Sequence, residues 1–228
     1  MAVSLIVGTL ISCGVFAFSV ALYKKLKSPL LNPLLVAVSL IIIFLSVTGI
    51  PLDTYEDNAG VISFFLGPAT VALAYSIYVQ RNLLKENFLP IVAGCLVGSL
   101  VSMISAYTLC HLFGLSDELA ISFIPKSVST PIAIAVSEQL GGITSITVAA
   151  VIITGILGAL CSPLLARLFR IHNRIAKGVA IGTCSHAVGT TKALEIGQLE
   201  GAMSGIALAV SGLLTTGLVI LARILALV

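Results

Sequence analysis

Long apolar runs separated by short polar joints dominate this chain from one end to the other. A helix needs about 20 mostly apolar residues to cross the roughly 30 Å hydrocarbon layer of a bilayer. Six stretches free of Asp, Glu, Lys and Arg meet that requirement: 1–23, 28–52, 58–80, 87–116, 139–166 and 201–222. The apolarity is continuous, whereas the strands of a membrane barrel alternate and run only about ten residues. The pattern predicts an all-α polytopic membrane protein, one integral membrane domain over 1–228, with about six full spans plus re-entrant or broken helices. The first run has no positive segment ahead of it and no small-residue cleavage site after it, so it reads as a retained span rather than a leader.

Composition sharpens this. Of 228 residues, 58% are hydrophobic and 9% charged, with a mean hydropathy of +1.17. A globular domain in water carries roughly a quarter charged residues, so these proportions exclude one. The net charge of +3 is small and its basic residues sit in short clusters between spans, which argues against a nucleic-acid partner. Five cysteines lie scattered in apolar surroundings with no metal-binding spacing, and they read as small buried hydrophobes. No metal and no cofactor is expected.

The joints differ in sign. Lys24, Lys25 and Lys27 follow the first span, Arg81 and Lys85 the third, and Arg167, Arg170, Arg174 and Lys177 the fifth; Asp53, Glu56 and Asp57 follow the second, Asp117 and Glu118 the fourth. Basic loops stay cytoplasmic, which places the N-terminus outside a multi-pass protein of the inner (plasma) membrane. The alternation then requires residues 119–141 to enter and leave by one face. The two apolar halves of that region are too short to cross, reaching about 10 and 16 Å as helices. A re-entrant hairpin is expected, against one broken span. The segment 178–200 contains the glycine-flanked polar stretch Gly182 to Thr191 and reads as a second discontinuous element, re-entrant or broken.

Irregular backbone at membrane depth must be buried in protein or line a wet cavity, so these segments are where chemistry is sought. Asn32-Pro33, Thr130-Pro131 and Gly189-Thr190-Thr191 each read as a helix start, with a capping side chain ahead of a proline or a polar turn. Free amides at such a start attract anions. Beside the middle one stands Lys126, and a lysine within a membrane faces the protein interior and marks a functional site. With Ser127, Ser129 and Thr130 it would make a cationic, donor-rich pocket; the bland alternative is that it snorkels to water or neutralises Glu138. His186, flanked by Thr183, Cys184 and Ser185, would bind substrate or relay a proton, or else satisfy backbone carbonyls as a neutral ring. Residues 32–39 and 130–137 share an Asn/Thr-Pro-apolar-Ser pattern, a short echo suggesting an internal repeat. Ser185 and His186 are adjacent and no carboxylate completes a triad, so no catalytic residue and no enzyme is read here.

The opening Ser28 to Leu34, the core Pro125-Lys126-Ser127-Val128-Ser129-Thr130-Pro131-Ile132-Ala133 and the segment Gly182 to Thr190 together resemble the LrgB/CidB family of bacterial membrane proteins. Ser129 stands where many relatives carry threonine, and Cys184 where alanine is frequent. The resemblance implies two kinds of function. Members are called antiholin-like or holin-like proteins, paired with a smaller LrgA/CidA-type membrane protein and linked to murein hydrolase control and lysis. Similar proteins, a chloroplast relative among them, are regarded as carriers of glycolate, glycerate or pyruvate. It carries a substrate site onto Asn32, Lys126, Ser127, Ser129, Thr130, Ser185, His186, Gly189 and Thr190, to which Thr183 is added as a neighbour. A buried lysine among helix starts suits a carrier better than a pore, so the expected function is a secondary transporter of small monocarboxylates. It would lie in lipid as a homo-oligomer and work with an LrgA/CidA-type partner. The alternative is an antiholin-like regulator of murein hydrolase export and lysis.

Overall fold

The computed structural model describes residues 2–26, 31, 33–65, 68, 71, 75, 78–79 and 81–225. Every element named among them is a helix, and four helices are long and apolar enough to cross a membrane, with a shorter apolar one over Pro33–Thr48. The protein is a multi-pass helical membrane protein. The count of about six full spans is not reached among the described residues. The second predicted span yields only the 16-residue Pro33–Thr48, because Gly49 at φ 68° and Pro51 close it early. Of the third, 58–80, residues 66–67, 69–70, 72–74, 76–77 and 80 lie outside the described residues. Two compact units divide the chain, Met1–Ala72 and Leu73–Val228.

The first unit holds α1 (Ala2–Leu26), α2 (Pro33–Thr48), α3 (Leu52–Asn58) and α4 (Gly60–Phe64). The short α3 packs against α1. Gly8 lets the Asn58 backbone approach, with a Cβ at Gly8 falling 2.8 Å from its carbonyl, and the Ser12 and Tyr55 hydroxyls meet at 2.6 Å. The acidic joint Asp53, Glu56 and Asp57 is thereby carried on a helix rather than a loop.

The second unit is built from α5 (Arg81–Glu86), α6 (Phe88–Leu112), α7 (Asp117–Phe123), α8 (Thr130–Leu140), α9 (Thr144–Leu168), α10 (Arg174–Ile196) and α11 (Gln198–Ile224). The region 119–141 holds the 7-residue α7 and the 11-residue α8, and from Ser122 to Gly142 the chain doubles back as a hairpin. Its two ends are fastened together at the start of α9. The Ser122 hydroxyl accepts from the Ile143 amide at 2.7 Å, and the Thr147 hydroxyl lies 2.9 Å from the Ser122 carbonyl and 2.7 Å from the Ser137 hydroxyl. Gly141 at φ 78° ends α8, and Gly142 has no room for a Cβ between Ser137 and Ser122. Ser122, Ser137 and Thr147 are all fully buried, so their hydroxyls must pair with one another or with backbone. Thr147→Val keeps the shape and strands two of those groups; we expect it to lower the stability of the purified protein by about 2 kcal/mol, measured as a shift in thermal unfolding, while Thr147→Ser changes little.

A second hairpin lies within α10. The helix is interrupted at His186, whose φ of 40° and ψ of −140° are not helical. Arg174 pairs with Glu200, a Cβ at Gly178 would meet Glu200 and Met203, and one at Gly182 would meet the Ser204 backbone. Beyond the break, Thr190 hydrogen-bonds Ser204 and Leu194 packs on Gly201. Both arms, 174–185 and 187–196, therefore lie along the same first turns of α11, one leading in and one leading back. Gly189 allows them to touch at Ser185 and Ile181.

The two hairpins enter from opposite ends. The first is tied to the start of α9, the second begins six residues after its end, and α9 spans about 37 Å at 1.5 Å per residue. The core confirms the arrangement. Ile91 and Cys95 of α6 and Met203, Ile206 and Ala207 of α11 pack with Val179 of the second hairpin. Further along the same two helices, Met103 and Val219 pack with Ile124 and Val136 of the first.

Candidate functional site

The tips of the hairpins converge. At the first tip Val128 packs with Val151 of α9, and the Val151 carbonyl accepts a 2.8 Å hydrogen bond from Nε2 of His186 at the second. Both tips also face α6. Thr183 sits on Gly98, whose missing Cβ would lie 2.7 Å from its methyl group, and Lys126 reaches Ser102 one turn further along. Ser102 is ten residues from the Leu112 end of α6, a rise of about 15 Å. The lysine head thus lies near the middle of a spanning helix.

Its surroundings are hydroxyls. Lys126 Nζ donates to Ser102 Oγ at 2.7 Å and lies 3.5 Å from Ser127 Oγ, and the two serine oxygens are 2.7 Å apart. No carboxylate pairs with Lys126 among the described residues, Glu138 included. An inventory of protons shows what this cluster lacks. A lysine head brings three N–H donors and no acceptor, and each serine brings one O–H. Whichever serine donates to the other, one O–H and at least one N–H are left without an acceptor in the cluster. Ser127 is 8% exposed. The cluster is cationic and has donors to spare.

The neighbouring helix start adds to this. α8 begins one residue earlier than its sequence suggests: Ser129, with ψ of 146°, is the capping residue, Thr130 is the first helical position and Pro131 follows. The Ser129 side chain caps no amide, so the open end of α8 stands three residues from Lys126 with its positive pole unshielded.

The residues of the second hairpin play other parts. Thr183 donates to the Val179 carbonyl and lies 3.3 Å from Cys95 Sγ; Thr190 donates to the His186 carbonyl and pairs with Ser204 at 2.9 Å. Cβ atoms at Gly155 and Gly158 would meet His186 and Ser185. Thr183, Ser185, His186 and Thr190 thus seat the hairpin against α6, α9 and α11. The helix start read at Gly189-Thr190-Thr191 lies earlier, after the break at His186, because both threonine hydroxyls are turned back onto carbonyls four residues before them. Asn32 lies outside the described residues. Ser102 belongs to the site and was not foreseen; the signal was present in Ser99, Ser102 and Ser105, spaced every three residues along one face of an otherwise apolar span.

The sequence profile of the LrgB-like family matches residues 12–225. The chain belongs to this family. Among similar proteins are the "Uncharacterized protein YxaC" of Bacillus subtilis (strain 168), 37% identical over 90% of this chain and 89% of its own length, and the "Antiholin-like protein LrgB" of the same strain, 36% identical over 91% and 90%. The protein of that name from Bacillus mycoides (strain KBAB4) is 36% identical over 91% of both chains. No solved structure matches the chain. The LrgB-family match takes in both hairpins and the lysine cluster at the tip of the first.

Proposed function

We propose that this LrgB-family protein is a carrier of small monocarboxylates, with the anion held between the hairpin tips. The observation that carries the reading is Lys126: an ammonium near mid-span, held by two serine hydroxyls and paired with no acid among the described residues. An ion in that position is costly unless it serves a ligand. Two half-length hairpins entering from opposite ends, meeting at a binding site, are the parts from which alternating access is built. The basic loop from Arg167 to Lys177 puts the second hairpin's mouth on the cytoplasmic side, and the first hairpin then opens outside. The Ser102 and Ser127 hydroxyls, the Lys126 ammonium and the open end of α8 would be the groups that meet a small anion.

A second reading, an antiholin-like regulator of murein hydrolase export and lysis, rests on the printed names of the relatives at 36% identity. The comparisons speak for this reading more than for the carrier: no name among those relatives mentions transport or a substrate. A small LrgA/CidA-type membrane protein would be its partner. One experiment separates the two. Liposomes holding the purified protein, with and without that partner, are given labelled pyruvate outside and a trapped dye inside. Carrier function predicts saturable pyruvate uptake with the dye retained; dye loss without saturable uptake selects the regulator.

A further inference from the structure

We infer that Ser102 is the positioning residue of the anion site, a neutral tether that aims the Lys126 ammonium without cancelling its charge. The inference rests on the carrier reading and adds to it a residue on a different helix. A lysine head rides on a flexible four-carbon stem and has no preferred direction of its own. Here its stem rises from the first hairpin's tip, yet its shortest bond, 2.7 Å, is to the hydroxyl of Ser102 on α6. The bond to its neighbour Ser127 is longer, at 3.5 Å. Ser102 also touches Ser127 at 2.7 Å, so one hydroxyl fixes both donors of the tip to a spanning helix.

The chemistry of that contact decides what the site selects. A carboxylate at this place would hold the ammonium as firmly and neutralise it. A hydroxyl oxygen orients the ion through a charge-assisted bond and leaves its full positive charge for a ligand. The two serines keep one O–H between them beyond their mutual bond, so what enters meets a positive charge and free donors.

Binding of pyruvate to the full-length protein in detergent, by titration calorimetry, tests this alongside uptake kinetics in liposomes. Ser102→Ala is expected to weaken pyruvate binding about tenfold, the worth of one bond to a charged group, raising the uptake KM in step and leaving the maximal rate within about twofold. Ser102→Thr, which keeps the hydroxyl, restores both. Ser102→Asn and Ser102→Asp, nearly identical in shape, give a comparison that does not depend on the alanine variant folding. Asparagine, a neutral acceptor, preserves binding, and aspartate, an internal counter-ion, abolishes it. Equal affinity of the asparagine and aspartate variants, or an unchanged KM for the alanine variant while Lys126→Met has lost binding, overturns the role of Ser102 and leaves the carrier intact. A parent protein that neither binds nor takes up pyruvate or glycolate overturns the carrier reading and this inference with it.

Discussion

Lys126→Met is expected to uncouple stability from function. The variant should fold at least as well as the parent, because a lysine within the bilayer costs about 3 kcal/mol and methionine fills much the same space with none of that cost. Its affinity for pyruvate should fall about a hundredfold, as happens when the charged partner of a buried ionic contact is removed. Measured together, thermal unfolding and pyruvate titration should move in opposite directions. A merely structural lysine gives the reverse: lost stability, or uptake within twofold of the parent. Lys126→Arg is the informative companion, since it keeps the charge but sets a planar fork where Ser102 and Ser127 hold a compact head.

Gly182→Val should have the largest effect on assembly. A side chain there would run into the Ser204 carbonyl oxygen, with the Ser204 carbon and Cα each 2.9 Å away. The obstacle is backbone on a helix that is itself packed against α6 and the first hairpin, so no rotamer change relieves it. We expect a loss of at least about 3 kcal/mol, lowering the midpoint of unfolding by about 10 °C, with aggregated material on size exclusion. Gly205, one helical position past Ser204, has nothing within 4 Å of its own virtual Cβ. Gly205→Ala is the matched control and should be neutral, which separates crowding at the hairpin from helix propensity alone.

The two glycines also mark how much of this protein can be read without coordinates. The long spans Phe88–Leu112, Thr144–Leu168 and Gln198–Ile224 follow from continuous apolarity, which needs no partner to interpret. The first hairpin followed from a parity argument: acid at 117–118, base at 167–177, and one span between them. The second hairpin was seen only as a discontinuity. The break itself falls on His186, whose positive φ no local pattern announces and whose ring is held against Val151 and Gly155 of another helix. The echo between 32–39 and 130–137 falls on two helix starts, α2 at Pro33 and α8 at Thr130. What recurs is span, hairpin, span: α6, α7–α8 and α9, then α9, α10 and α11. That recurrence is one of chain direction and leaves little trace in composition. Ser102 was hidden for a related reason. A serine bonding within its own helix and one reaching a lysine 24 positions away in the chain look alike in sequence.

Opposed hairpins have an electrical consequence. A chain that crossed the bilayer only with full-length helices would spread the membrane potential along some 30 Å of hydrocarbon. In the proposed carrier, water reaching the two tips from opposite sides would confine most of the voltage to the few side chains near Val151. A monovalent anion carried past Lys126 would then exchange nearly the full electrical work, about 2.3 kcal/mol per 100 mV, over a displacement of a few ångströms. The field at this point would act on the occupancy of the site as strongly as concentration does, and uptake into liposomes should respond to an imposed diffusion potential.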